Sequence, residues 1–275
     1  MQELYKKLSQ YRKEDICIIS DFDATLTQAI KKDMSKGSDS FSVYENNPHL
    51  LGEEYIILTN RLFEKYYAIE QDPEVPGDEK ELAMVEWWTK EFELYKAHGL
   101  NQDVFIEIIQ HKLIELKHHV EDFLKLSHSM NIPVVIFSAG VYNLIHGFLQ
   151  KINADFNNVH VVANIFEFDN SGNFVSTKGD LIHSLNKNFE ELSHLPFYSD
   201  LRDKKVAIIL GDSVSDMNMV RGGDFEEVIS IGFFNTLPGH KDYERRLKAH
   251  QETFDIVLDG REDLGKVVEL LKSIQ

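Results

Sequence analysis

Residues 16–27 read ICIISDFDATLT: a run of four apolar residues, a serine, then two aspartates on either side of Phe22. The run Ile16, Cys17, Ile18, Ile19 matches a strand covered on both faces. Charge is costly to bury. Two carboxylates at the end of such a strand therefore call either for a cation between them or for a proton held on one of them for chemistry. Asp21 and Asp23 are two apart, so a regular strand would turn both toward the same side.

Five further short apolar runs, at 132–137, 159–163, 206–210, 228–231 and 254–258, repeat the buried-strand pattern. Helical patterns separate many of them, which predicts an α/β fold with a parallel sheet and right-handed crossovers. Two of these runs also end in polar clusters. Ser138, Ala139 and Gly140 follow the second strand and precede a helical stripe of Val141, Leu144, Ile145, Phe148 and Leu149, the arrangement that places an anion at a helix N-terminus. GDSVSD, residues 211–216, follows the run at 206–210 and supplies Asp212 and Asp216.

Open α/β folds place ligands at the carboxyl-terminal edge of the sheet. Four acidic groups beside an anion cradle would repel a phosphate unless a cation intervened. Carboxylate oxygens without His or Cys partners suit a hard cation, Mg²⁺ above all. A phosphoryl group held between metal and cradle would then face an aspartate nucleophile.

Residues 29–116 read differently, as helices without an alternating strand. Leu51, Tyr55, Leu58, Leu62 and Tyr66 form one stripe. Leu82, Val85, Trp88, Phe92 and Tyr95 form a second, which Asp78 and Glu81 would open as a capping box. Asn101 would cap a third helix carrying Val104, Ile108, Leu113 and Leu116. The polar stretch 36–48 reads as a mobile loop. The expected organisation is a catalytic core of residues 1–28 and 119–275, interrupted by a helical cap at 29–118.

Composition narrows the partners. The chain has 275 residues, 43% of them apolar, and a formal net charge of −17. Such a surface repels nucleic-acid polymers and anionic membranes. No stretch approaches a membrane span, and the N-terminus lacks a signal-peptide apolar segment. The single cysteine, Cys17, makes no internal disulfide, so a reducing, cytoplasmic setting is expected. No pair among the twelve histidines has zinc-ligand spacing, which argues against a zinc site.

DFDATLT matches the D-x-D-x-T signature of the haloacid-dehalogenase (HAD) superfamily of phosphatases, and GDSVSD matches its later G-D-x-x-x-D. KYYAIEQDP (65–73), MVEWWTK (84–90), IPVVIFSAG (132–140), VVANIFEFDNSGNF (161–174) and KGDLIHSLNK (178–187) further resemble the cytosolic 5'-nucleotidase III, or pyrimidine 5'-nucleotidase, family. That resemblance implies a HAD-like Rossmannoid core with an inserted cap, and hydrolysis of nucleoside 5'-monophosphates, pyrimidine or 7-methylguanosine, by a monomer or weak oligomer.

It implies Asp21 as nucleophile, Asp23 as acid and base, and Lys187 as the cation that pairs nucleophile and phosphate. Asp21, Asp23 (through its backbone carbonyl) and Asp212 would hold Mg²⁺, with Asp216 behind them. Thr25, Ser138, Ala139 and Gly140 would receive the phosphate, and Glu70 the base, with Trp88 as a stacking face. Glu91 stands where the family has a serine; turned inward, it is expected to penalise uracil. Alternatives are a HAD phosphatase for another metabolite such as phosphoserine, or a nucleoside phosphotransferase. A phospho-accepting receiver module would be far shorter and lack the helical insert.

Overall fold

A computed structural model of the chain describes residues 2–72 and 74–274; Pro73, which closes the KYYAIEQDP stretch, lies outside them. Among the described residues seven strands form one sheet: β1 (Ile16–Ser20), β2 (Val134–Val141), β3 (Val159–Phe168), β4 (Phe174–Lys178), β5 (Val206–Gly211), β6 (Glu227–Phe234) and β7 (Ile256–Asp259), in the order β4-β3-β2-β1-β5-β6-β7. All pairings are parallel except β3 with β4. All six apolar runs therefore became strands. The seventh, β4, was not foreseen, because FVSTK buries only Phe174 and its alternation is too short to stand out.

The sheet is wound outward in both directions from β1. From β1 the chain goes to β2, β3 and β4 on one side, then returns to place β5, β6 and β7 on the other. The order thus reverses at β1, and a crevice opens beyond its carboxyl end between diverging connections. β1 is buried at every position and so anchors the sheet centre. Around the sheet lie α1 (Gln2–Leu8), α6 (Val120–Ser129), α7 (Tyr142–Lys151), α8 (Tyr243–Thr253) and α9 (Gly265–Lys272).

Between β1 and α6 come α2 (Ser42–Asn46), α3 (Glu53–Gln71), α4 (Gly77–Ala97) and α5 (Gln102–Gln110). Chain entry and exit are tied together. Thr27 bridges Leu116, Gln28 N–H donates to the Glu115 carbonyl at 2.7 Å, and Lys117 N–H donates to the Leu26 carbonyl at 2.9 Å. The insert does not bury its faces alone. Tyr95, Leu100, Val104 and Phe105 join the main hydrophobic cluster beside the sheet, while Tyr66, Ala83 and Met84 form a small cluster of their own.

Three local expectations change. Stretch 36–48 is no free loop: it holds α2, and Ser40, Val43 and Tyr44 are fully buried. α4 begins at Gly77 after Pro76 without a side-chain cap, so Asp78 and Glu81 lie inside its first turns instead of forming a capping box. Asn101 does cap α5, its Oδ1 accepting the Asp103 and Val104 N–H groups, but the helix ends at Gln110 and leaves Leu113 and Leu116 beyond it. No helix among the described residues is long and apolar enough to cross a membrane.

Candidate active site

β1 stops at Ser20, so the two aspartates lie beyond the strand and do not share a face as a regular strand would require. Asp21 still joins the sheet through its N–H, which donates to the Leu210 carbonyl at 2.9 Å. The chain then turns sharply. The Phe22 carbonyl accepts the Leu26 and Thr27 N–H groups, and Ala24 takes a positive φ of 61°. That turn sends the two carboxylates to different partners.

Asp21 Oδ1 accepts from Lys187 Nζ at 2.8 Å, and the same ammonium donates to Asp216 Oδ1 at 2.8 Å. Asp216 is filled from behind as well: its Oδ2 accepts the N–H groups of Asp212 and Ser213 at 3.1 and 3.0 Å. One oxygen from each of Asp21, Asp212 and Asp216 lies within 4.8 Å of the others. Asp212 has the poorest protein partner of the three, the Asn235 amide at 3.4 Å.

Three carboxylates around one ammonium leave an excess of negative charge. Burial pushes the Asp21 carboxyl up to about 6, with Lys187 opposing the rise and Asp216 adding to it. Asp212 is raised well above the usual carboxylate range by burial, then by Asp216 and Asp21. Burial works against the Lys187 ammonium, but Asp21 and Asp216 outweigh it and hold the proton more firmly than in an ordinary lysine. Burial is the main cause of both carboxyl shifts, and the acidic neighbours add to it.

Asp23 stands apart from this group, and its carboxylate is not part of the three-acid cluster. Its Oδ1 accepts from both the N–H and the hydroxyl of Ser40, at 2.9 and 3.1 Å. Its Oδ2 is buried and has no partner. Burial first, then Asp39 and Asp21, raise its carboxyl well above the ordinary value.

The cradle lies opposite. β2 continues through Ser138, Ala139 and Gly140 to Val141, with a break in register against β3, so these residues end a strand; α7 starts only at Tyr142. Gly140 N–H donates to Ser138 Oγ at 2.9 Å. A Cβ on Gly140 would sit 2.7 Å from Asp23 Oδ2, 2.9 Å from Ser40 Oγ and 3.0 Å from Ser138 Oγ. Three polar atoms from three segments therefore face one small space that a side chain would close. Thr25 Oγ1 is also buried and unpartnered, so it is not spent on local backbone capping.

Sequence reasoning missed the residues that hold these segments together. Asn164 donates to the Ala139 and Ile182 carbonyls at 2.7 and 2.8 Å and accepts the Ile182 N–H at 3.0 Å, joining the cradle to the segment that carries Lys187. Asn235 donates to the Ala24 carbonyl at 3.0 Å, pinning the turn after β1. His250 Nε2 contacts the Asp212 carbonyl oxygen at 2.8 Å. Asn235 directly follows the apolar run of β6, the signal that identified Asp21 and Asp212. Asn164 likewise directly follows the apolar run at 159–163, whereas nothing in the pattern around Ser40 gives a comparable signal.

In the insert, Glu70 accepts a hydrogen bond from Ser184, three residues before Lys187, so this carboxylate reaches the segment that carries Lys187. Trp88 packs on Phe41 with ring centroids 4.7 Å apart, whereas Trp87 stacks on Tyr66 at 5.9 Å. The two tryptophans thus face different ways, as helical geometry requires. Glu91 does turn inward, but both its oxygens are occupied: Tyr55 donates at 2.5 Å and the Thr59 hydroxyl lies 3.0 Å from each. Its place is the α3–α4 interface.

The sequence profile of the pyrimidine 5'-nucleotidase (UMPH-1) family matches residues 24–275. The chain is 30% identical to the 7-methylguanosine phosphate-specific 5'-nucleotidase of Homo sapiens over 275 residues, covering all of this chain and 89% of that protein. It is 32% identical to the protein of the same name in Drosophila melanogaster, over 95% of this chain and 81% of the other. The crystal structure of cytosolic 5'-nucleotidase IIIB bound to cytidine superposes with a TM-score of 0.83 at 30% identity, over 98% of this chain and 89% of that one. A substrate-bound phosphoserine phosphatase gives 0.56 at 17% identity, over 96% of this chain and all of the other, which extends the likeness in fold to HAD phosphatases. The chain belongs to the pyrimidine 5'-nucleotidase (UMPH-1) family.

Proposed function

We propose that this protein is a Mg²⁺-dependent 5'-nucleotidase that cleaves nucleoside 5'-monophosphates to nucleoside and phosphate. The observation that carries this reading is the convergence at one sheet edge of an acidic cluster short of cations and a cradle lined by Asp23 Oδ2, Ser40 and Ser138. A divalent cation fits the donor set. All donors are hard oxygens, Asp212 lacks a good protein partner, and burial together with its acidic neighbours disfavours its ionised form. Asp21 and Asp212 are the carboxylates left to hold it, with the Asp23 backbone carbonyl; Asp216 is committed to Lys187 and to two N–H groups. The bound ion would supply charge neutralisation for the incoming phosphate.

The remaining steps belong to the chain. Asp21 attacks phosphorus through a carboxylate oxygen, forming an aspartyl-phosphate as the bond to the nucleoside O5' breaks. Asp23 gives its proton to that O5', because an alkoxide is a poor leaving group. Asp23, now ionised, takes a proton from water, which attacks the phosphorus and restores Asp21. Lys187 holds Asp21 in place and balances the phosphate, while Ser138, Gly140 and Thr25 receive its oxygens.

Residues 29–118 act as a cap over this edge, with Glu70 and Trp88 directed at the base. Relatives named for 7-methylguanosine phosphate and a neighbour bound to cytidine support bases that present donors or a positive ring to Glu70.

Phosphate release from CMP, UMP, 7-methyl-GMP and phosphoserine, each with Mg²⁺ and with EDTA, tests the proposal. The expected result is metal-dependent release from the nucleotides well above that from phosphoserine. A preference for phosphoserine, or activity indifferent to EDTA, would overturn it.

A further inference from the structure

The catalytic carboxylate Asp23 is asymmetric. Both donors that reach it, the N–H and the hydroxyl of Ser40, go to Oδ1. Oδ2 has none, although it is buried and faces the space beside Gly140 and Ser138. A carboxylic acid carries its proton on one oxygen, and an oxygen that accepts two hydrogen bonds is the less available of the pair for that proton.

We propose that Ser40 is a positioning residue for Asp23: by occupying Oδ1 twice it reserves Oδ2, the oxygen that faces the reaction space, for the proton passed to the leaving group. This rests on the reading of Asp23 as the proton donor given above. In the step concerned the Oδ2–H bond breaks, its proton bonds to O5', and the electron pair of the P–O bond goes to O5'. Asp21 forms the new bond to phosphorus.

Ser40 is held at its post by the insert. Asp39 Oδ1 accepts the N–H groups of Phe41 and Ser42, at 2.9 and 2.7 Å, and the Ser42 hydroxyl accepts the Asp39 N–H at 3.0 Å. Next in sequence, Phe41 packs on Trp88 of α4. The acid is therefore aimed from the insert, and the nucleophile from the sheet and Lys187. No sequence pattern marks residue 40; only the contact does.

The test exploits leaving-group chemistry. A nucleoside monophosphate needs a proton on its departing alkoxide; p-nitrophenyl phosphate releases a stable phenolate and does not. Ser40→Ala removes one of the two donors to Oδ1, and Ser40→Thr keeps the hydroxyl. With Mg²⁺, Ser40→Ala should lower kcat/KM for the nucleotide, which reports steps only as far as the aspartyl-phosphate, about 10-fold, a part of the roughly 10²–10⁴-fold a general acid contributes. It should change kcat/KM for p-nitrophenyl phosphate less than about twofold, while Ser40→Thr keeps most of the nucleotide kcat/KM.

Equal losses on both substrates, which a merely structural role predicts, overturn the proposal, as does no loss on either. A thermal midpoint for Ser40→Ala close to the wild-type value separates mispositioning from unfolding. A collapsed midpoint shifts the decision to Ser40→Thr, whose failure to keep the nucleotide-to-aryl ratio would also overturn it. Wild-type protein that cleaves alkyl phosphates such as phosphoserine but no nucleotide would defeat the nucleotidase reading alone. The same ratio would then be read on that alkyl phosphate.

Discussion

At the sheet edge Asp21 and Asp216 share a single ammonium beside Asp212, whereas in the insert Glu91 is met by two hydroxyl groups and no cation among the described residues. Burial raises the carboxyl of Asp21, of Asp212 and of Glu91. The difference lies in what remains unsatisfied. Both oxygens of Glu91 are hydrogen-bonded, so its burial is settled inside α3 and α4. Asp212 is left with a 3.4 Å contact, and Asp23 and Thr25 each keep a buried oxygen without a partner. Buried polar groups are almost always paired. Acids left with open oxygens at a sheet edge are arranged for something that arrives from outside; Glu91, with both oxygens hydrogen-bonded, is arranged for the fold, although the Tyr44 and Tyr95 hydroxyls packed beside it are also buried without partners.

The widest gap between the two regions should appear in turnover. Asp21→Asn removes the proposed nucleophile while keeping nearly the same shape, and kcat on a nucleotide should fall by about 10³-fold or more. Retained turnover would remove Asp21 from its role and leave the cluster a mere acidic patch. Next comes Gly140→Ala. The added methyl would lie 2.7 Å from Asp23 Oδ2, closer than real Cβ contacts allow, so either the cradle or the acid must shift. Displacements of about 1 Å at reacting groups cost on the order of 10²-fold. That loss should appear in kcat with little change in thermal midpoint; a fall in midpoint without a loss of rate would make the glycine structural.

Asp212→Asn sharpens the contrast through stability. A carboxyl raised on folding is penalised in its ionised form, and the penalty is fully present once pH exceeds the folded value, vanishing below the unfolded one. Where Asp212 is ionised, removing its charge should therefore raise the thermal midpoint of metal-free protein by a few degrees. The same change should abolish the rise in midpoint that Mg²⁺ gives the wild type, and abolish turnover. Stabilisation at the cost of function would be the signature of a cation site; destabilisation in EDTA would speak against one.

How much of this could be read from the chain alone follows from the same contrast. The sheet-edge acids were legible because each follows an apolar run, and a strand end is a place where sequence position and spatial position coincide. Lys187 was found by resemblance, since a lysine in HSLNKN has no periodicity to place it. The order of strands on either side of β1 cannot be read from apolar runs, and β4 was lost because one buried residue makes no pattern. Ser40 was misread with its surroundings: a polar stretch looks like a loop until its contact with Asp23 is seen. Glu91 was expected at the base because its inward direction was inferred without its partners, Tyr55 and Thr59, which lie more than thirty residues earlier in the chain.

Glu91 gives the smallest effect and the sharpest test of the comparison. In Glu91→Gln the side chain keeps its shape and can still accept from Tyr55 and Thr59, so only the charge is lost. Burial raises the Glu91 carboxyl against the opposing pull of those hydrogen bonds. Ionisation there costs stability above the folded value, and the cost disappears as pH falls below the ordinary value of 4.5. The variant should accordingly have a slightly higher thermal midpoint than wild type at alkaline pH, with the difference gone at pH 4, and Mg²⁺ should raise both midpoints alike and leave that difference unchanged. Its ratio of kcat/KM for CMP over UMP should stay within about twofold of wild type, because this buried carboxylate is engaged by hydroxyls of α3 at the α3–α4 interface and not by a base. A tenfold shift in that ratio would mean that Glu91 leaves Tyr55 and Thr59 when substrate binds. The insert's acid would then belong with the sheet's, as a group waiting for a ligand.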